Sequence, residues 1–274
     1  MAFARVNGVV IHHETRGRAG APAVAFSNSL GTDFRIWDAV VPHLESDFRI
    51  LLYDKRGHGL SEATTAPYAM TDHVDDLAAL LEHVGVARAA VVGLSVGGMI
   101  AQGLGARHPS LMRGLVLCDT AHKIGTEQSW NTRIDTVKAQ GIGAIADGVM
   151  KVWFTPQFRR PENAAFEGYK AMLTRQSVEG YAGTCAALRD CDLARAGALA
   201  HSGPYAQSPY LPGLAYSLRT QSYVCMRRAE LFEPLGIAAR VPSTLDILCG
   251  ILSFWSRYDE ALALLRHINE LATA

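Results

Sequence analysis

The sequence predicts an α/β fold, with a mostly parallel sheet covered by helices on both faces. Three observations carry that prediction. Short apolar runs of strand length alternate with segments of helical period up to Asp119. The runs are apolar throughout, the pattern of strands buried on both faces rather than on one. The helical segments between them are long enough to serve as the crossovers that parallel strands require.

The elements follow in order. Residues 3–13 alternate around Asn7-Gly8, a two-residue turn signal, and predict a hairpin. PAVAFSN (22–28) and FRILLYD (48–54) read as strands, with a helix-like IWDAVVPHL (36–44) between them. DHVDDLAALLEHVG (72–85) places Val74, Leu77, Leu80, Leu81 and Val84 at helical spacing, with acids in the first turn and Gly85 as a stop. AAVVG (89–93) reads as a buried strand, MIAQGLGARHP (99–109) as a helix and LVLCD (115–119) as a further strand. From Glu127 to Arg189 the texture is helical without a convincing strand, and Pro161 is placed to open one of those helices. A helical block that follows a strand of a parallel sheet suggests a cap over the strand ends, where such folds bind ligands. The expected division is a core over 1–122, a helical cap over 123–193 and an atypical segment over 194–274. In that segment only TLDILCG (244–250) resembles a strand and YDEALALLRHINELA (258–272) a helix, so the C-terminal part of the sheet stays unassigned.

Composition narrows the function. Basic and acidic side chains balance at 26 each, with no long basic run, which argues against nucleic acid or an anionic membrane as the main partner. The first residues lack the apolar stretch of a signal peptide, and no run approaches the length of a membrane span. Cys118, Cys185, Cys191, Cys225 and Cys249 fall at no metal-ligand spacing. The expectation is a cytoplasmic protein with buried free thiols and no metal. Oligomeric state is not legible.

The chemistry concentrates in Gly93-Leu94-Ser95-Val96-Gly97. This is G-x-S-x-G set between a predicted strand and a predicted helix, the context of a nucleophile elbow. Ser95 there occupies a strained turn that lifts its hydroxyl clear of the sheet. The helix that starts beside it turns its amide groups and positive dipole end toward any developing oxyanion. Two backbone donors are expected for that oxyanion. One is the N–H of Val96. The other comes from the loop after the third strand, Ser27-Asn28-Ser29-Leu30-Gly31-Thr32, where position selects the N–H of Leu30.

Beyond the elbow, several stretches resemble the α/β-hydrolase superfamily, and within it the 3-oxoadipate enol-lactonases. They are FSNSLGTDFRIWD (26–38), YDKRGHGLSE (53–62), GLSVGGMIAQGL (93–104), LCDTAHKIGTEQSWNTRI (117–134), VWFTPQFR (152–159) and SVEGYAGTCAALRDCDL (177–193). They run collinearly over about residues 1–193. The resemblance implies a cofactor-free serine hydrolase that opens a small-molecule enol-lactone to 3-oxoadipate during bacterial breakdown of protocatechuate and catechol. Asp54, Arg56, Gly57, His58 and Gly59 match a superfamily loop that braces the top of the sheet, so His58 is not expected to be the base. Trp130 and Trp153 lie in the cap and serve either as packing or as ring contacts to substrate. The substrate carboxylate needs a cation or fixed donors, for which Lys123, Arg133 and Arg56 are the candidates.

The resemblance breaks after Leu193. Chain order should run Ser, then acid, then histidine, but no acid promptly follows the strand-like 241–250 and no histidine loop is recognisable. The remaining candidates are Asp119, Asp259 and His267, with His201 in a Pro/Tyr-rich stretch. Two accounts stay open: a divergent end that still brings a histidine to Ser95, or a segment from a shifted reading frame or otherwise replaced. The functional alternatives are another carboxylic-ester or acyl hydrolase of the same fold, or a catalytically silent hydrolase-like protein.

Overall fold

The computed structural model of the protein describes residues 1–193. Among the described residues, six strands form one sheet in the order β1-β2-β4-β3-β5-β6. β1 (Ala2–Val6) and β2 (Val9–Gly17) make the expected hairpin, and both turn residues, Asn7 and Gly8, take the positive φ that a tight hairpin turn requires. β3 (Ala23–Ser27), β4 (Arg49–Tyr53), β5 (Ala89–Leu94) and β6 (Met112–Cys118) run parallel, and β2 joins β4 antiparallel. Every residue of β3 is buried, as a strand covered on both faces must be.

The two covers differ in kind. On one face α1 (Met70–His83) and α2 (Val96–Arg107) lay Val74, Leu77, Leu80, Leu81, Met99, Ile100 and Leu104 against the sheet. On the other, Phe34, Ile36, Trp37, Val40, Val41 and Leu44 pack over Val24, Phe26, Ile50 and Leu52. This second cover corrects the expected helix over 36–44. It is two 3-10 turns, Phe34–Trp37 and Val41–His43. Pro42 lacks an N–H and its ring obstructs the preceding turn, so a continuous helix cannot form there. The apolar side chains are buried nonetheless.

Between β6 and residue 193 the described chain is helical: α3 (Glu127–Gln140), α4 (Gly143–Trp153), α5 (Ala164–Thr174) and α6 (Val178–Asp190). Pro161 does not open α5. Asn163 caps it instead, accepting from the Ala165 N–H at 3.2 Å, and the helix begins at Ala164. Helix α6 lies directly on the loop after β4. Gly180 and Gly57 meet backbone to backbone, so a Cβ on either would overlap the other. Gln176 accepts from the Gly59 N–H at 2.8 Å, Glu179 from the Ala66 N–H at 2.9 Å, and Tyr68 N–H donates to Gly183 O at 3.3 Å. No helix among the described residues is long and apolar enough to cross a membrane. The strand-like 244–250 and helix-like 258–272 lie outside the described residues.

Candidate active site at the strand ends

The register of the sheet sets the site. Ser27, the last residue of β3, pairs with Gly93, and Leu94 pairs with Cys118 of β6. Three strands therefore release their chains at one edge: β3 into the loop 28–32, β5 into Ser95, and β6 into Asp119 and Thr120. Ser95 sits at φ 56° and ψ −118°, a strained conformation for a residue with a side chain. Its N–H donates to Cys118 O at 2.9 Å and its carbonyl accepts from Thr120 Oγ1 at 2.6 Å. The backbone is thus held on both sides while the hydroxyl, half-buried, has no hydrogen-bond partner among the described residues. The glycines flanking the serine are there because nothing larger fits. A Cβ on Gly97 would overlap Ser27 O, and one on Gly93 would stand 2.6 Å from the Gly98 Cα.

The loop 28–32 is held as firmly. Thr32 N–H and Oγ1 both reach Ser29 O, at 3.4 and 2.9 Å, and Gly31 has φ 77°, the pattern of a type II turn with Leu30 at its first corner. Asn28 is fully buried and donates to Thr32 O at 2.6 Å. The Gly31 N–H donates to His58 Nε2 at 3.0 Å, and Lys55 Nζ donates to Ser29 O at 2.6 Å. Neither the Leu30 N–H nor the Val96 N–H has an acceptor among the described residues. The two expected oxyanion donors therefore leave adjacent backbone segments unengaged, and Gly97 packs against the very start of the loop that carries Leu30.

The remaining candidates separate cleanly. His58 is buried and committed to Gly31. Burial, then the nearby Lys55 and His73, push its pKa well below the ordinary value. Because Nε2 accepts, its proton is assigned to Nδ1, which faces Arg56 O at 3.3 Å. Arg56 donates two hydrogen bonds to the Asp76 carboxylate, Nε to Oδ2 and Nη2 to Oδ1, each at 2.6 Å, which withdraws it as a substrate cation. Asp119 takes φ 45° beside the elbow, and burial pushes its carboxyl up to about 6; its exposed side chain lets water moderate that effect. Trp130 is buried, its indole N–H donating to Ile124 O at 2.6 Å, and the Arg133 guanidinium lies over its ring at 5.4 Å. Arg133 also reaches the Tyr181 hydroxyl and has no carboxylate partner among the described residues. Lys123 is half-buried, close enough to Asp190 to help hold that carboxyl below its ordinary range. Trp153, with Leu173 and Tyr181, closes over Gly31.

Several histidines are tied elsewhere: His12 to Asp54 at 2.7 Å, His108 to Asp75 at 2.9 Å and His73 to Thr184 at 3.3 Å. Asp259, His267 and His201 lie outside the described residues. Sequence reasoning missed Lys55, a fully buried amine, because a lysine between Asp54 and Arg56 reads as one more surface charge. No set of three His, Cys, Asp or Glu side chains among the described residues could hold a metal ion.

Comparison with known proteins agrees with this architecture. Residues 22–140 match the family model of the alpha/beta hydrolase fold. The chain is 35% identical over 185 residues to 3-oxoadipate enol-lactonase 2 of Acinetobacter baylyi, covering 68% of this chain and 69% of that one. It is 32% identical over 189 residues to 3-oxoadipate enol-lactonase 1 of the same organism, covering 68% and 70%. The crystal structure of the enol-lactonase from Burkholderia xenovorans superposes with a TM-score of 0.70 at 36% identity, over 72% of this chain and 77% of that chain. A hydrolase from Pseudomonas aeruginosa gives 0.69 at 36% identity, over 72% and 75%. The chain belongs to the α/β-hydrolase fold family, as a carboxylic-ester or lactone hydrolase related to the 3-oxoadipate enol-lactonases.

Proposed function

We propose that the protein hydrolyses 3-oxoadipate enol-lactone, with Ser95 as nucleophile. The observation that carries this is the pairing of a strained, half-buried Ser95 with two unengaged amides, Leu30 and Val96, at one edge of the sheet. Ser95 Oγ attacks the lactone carbonyl carbon, giving up its proton to a general base, for which the candidate His267 lies outside the described residues. Negative charge gathers on the carbonyl oxygen, and the two N–H groups stabilise it, each such donor contributing about 3–4 kcal/mol at the transition state. The ring C–O bond then breaks, the enol oxygen takes a proton, and the freed chain settles as a ketone. Water hydrolyses the resulting acyl-enzyme by the same route and releases 3-oxoadipate. The division into a core over 1–122, a cap over 123–193 and a further segment over 194–274 belongs to this reading.

Arg133 is the residue assigned to the substrate carboxylate, ahead of Lys123. Its guanidinium is braced on Trp130, lacks an acidic partner among the described residues, and reaches Tyr181, which covers Gly31 of the oxyanion loop. The test compares the enol-lactone with an uncharged aryl ester. Arg133→Met should raise KM for the lactone by about tenfold or more, the worth of a charged hydrogen bond, while the aryl ester KM holds. A wild-type enzyme that treats both substrates alike would contradict the assignment of the lactone, and equal KM shifts would contradict the role of Arg133.

A further inference from the structure

Lys55 is fully buried, yet its amine touches neither nearby carboxylate. Asp54 is occupied by His12 and by the Phe34 and Leu60 amides, and Asp33 by Arg35. Lys55 Nζ instead donates to Ser29 O at 2.6 Å. That carbonyl and the Leu30 N–H belong to one peptide unit. In a trans peptide the C=O and N–H point in opposite directions, so anchoring Ser29 O on one side aims the Leu30 N–H to the other. An ammonium on the carbonyl oxygen also draws electron density along the amide, leaving its N–H a stronger donor, as chained hydrogen bonds polarise one another in a low-dielectric interior.

We propose that Lys55 is a positioning residue that orients and polarises the Ser29–Leu30 peptide as an oxyanion donor. The inference rests on the reading of Leu30 as that donor. His58 secures the next amide of the loop by accepting from Gly31, so the peptide is held at its own carbonyl by Lys55 and at the amide that follows by His58. The charged and titratable groups around the amine are Asp54 and Asp33, which favour its protonated form, and His58 and His73, whose own charging it opposes. Burial dominates and lowers the amine to about 7. The polarising charge is therefore present below about pH 7 and fades above it.

A double-mutant cycle tests this with the full-length chain. Lys55→Met keeps the buried stem without the amine, and Thr32 Oγ1 still satisfies Ser29 O. Leu30→Pro removes the N–H and suits the first corner of a type II turn. Lys55→Met should lower kcat about tenfold or more with KM changed less than threefold, and should abolish the fall in kcat above pH 7. Leu30→Pro should lower kcat by about 10²–10³, and adding Lys55→Met should cost nothing further. A folded Lys55→Met with wild-type kcat, or with the same loss in both backgrounds, overturns the proposal. If Leu30→Pro itself leaves kcat intact, the reading of Leu30 fails instead. Should Lys55→Met not fold, Lys55→Gln read by the same kcat and pH criteria decides the matter.

Discussion

Replacing Gly97 by alanine tests the close packing that brings the elbow and the oxyanion loop together. A Cβ there would overlap Ser27 O and stand 2.5 Å from Ser27 C and 3.0 Å from Asn28 O. Carbon atoms in contact sit about 3.5–4.0 Å apart, so either Ser95 or the loop must retreat by about 1 Å. The atoms in the way are backbone at the end of β3, a buried strand held on both sides by β4 and β5, so no side-chain rotation relieves the clash. Overpacking of this kind costs about 1–3 kcal/mol of stability. The loss in catalysis should be larger, because a misplacement of about 1 Å at reacting groups can cost about 10²-fold. Gly105 lies further along the same helix, α2, with nothing among the described residues within 4 Å of its would-be Cβ, and is the internal control. Gly105→Ala should stabilise by about 0.5–1 kcal/mol and leave kcat alone. The assay is ester or lactone turnover alongside a thermal melt for both variants. Gly97→Ala with wild-type kcat would refute the claim that this approach sets the site.

Two further variants probe the surroundings. Arg56→Ala leaves Asp76, whose side chain is only 2% exposed, without its cation and with only the Asn7 amide as a side-chain donor, and should cost about 3–5 kcal/mol by melt; an unchanged Tm would show that the pair contributes no stability. Burial pushes the Asp119 carboxyl up to about 6 in the folded state, an effect that solvent at its exposed side chain moderates, so above the ordinary 3.8 the folded state holds the extra proton and stability falls as pH rises, with the cost fully present above about pH 6. Asp119→Asn should therefore melt higher than the parent at pH 7 and equal to it toward pH 4, with kcat within a few-fold; a loss of about 10⁴ would instead make Asp119 the acid partner of the catalytic base.

What the sequence revealed follows from how local each signal is. The strands at 23–27 and 89–94 are legible because burial on both faces demands an unbroken apolar run, and the elbow is legible because its constraints fall within five residues. The cover over 34–44 was misjudged in form because its apolar spacing resembles a helix while Pro42 forbids one. Lys55 was invisible because its meaning depends on Ser29, twenty-six positions away and on another strand's loop. The contact of Gly57 with Gly180 and of Gly31 with Leu173 and Tyr181 is likewise long-range, so the direct seating of α6 beside the site has no sequence signature. Arg56 and Arg133 look alike in the sequence; only their partners, Asp76 for one and the Trp130 ring for the other, separate a structural charge from an available one.

The central claim is that Ser95 forms the acyl-enzyme. Its most direct test is enol-lactone turnover together with intact-mass labelling by an aryl phosphonate, for the parent chain and for Ser95→Ala. The parent should gain one phosphonyl group and lose activity in step, while Ser95→Ala should take up none and turn over about 10⁴–10⁶-fold more slowly. Ser95→Ala that still hydrolyses the lactone within tenfold of the parent would contradict the account.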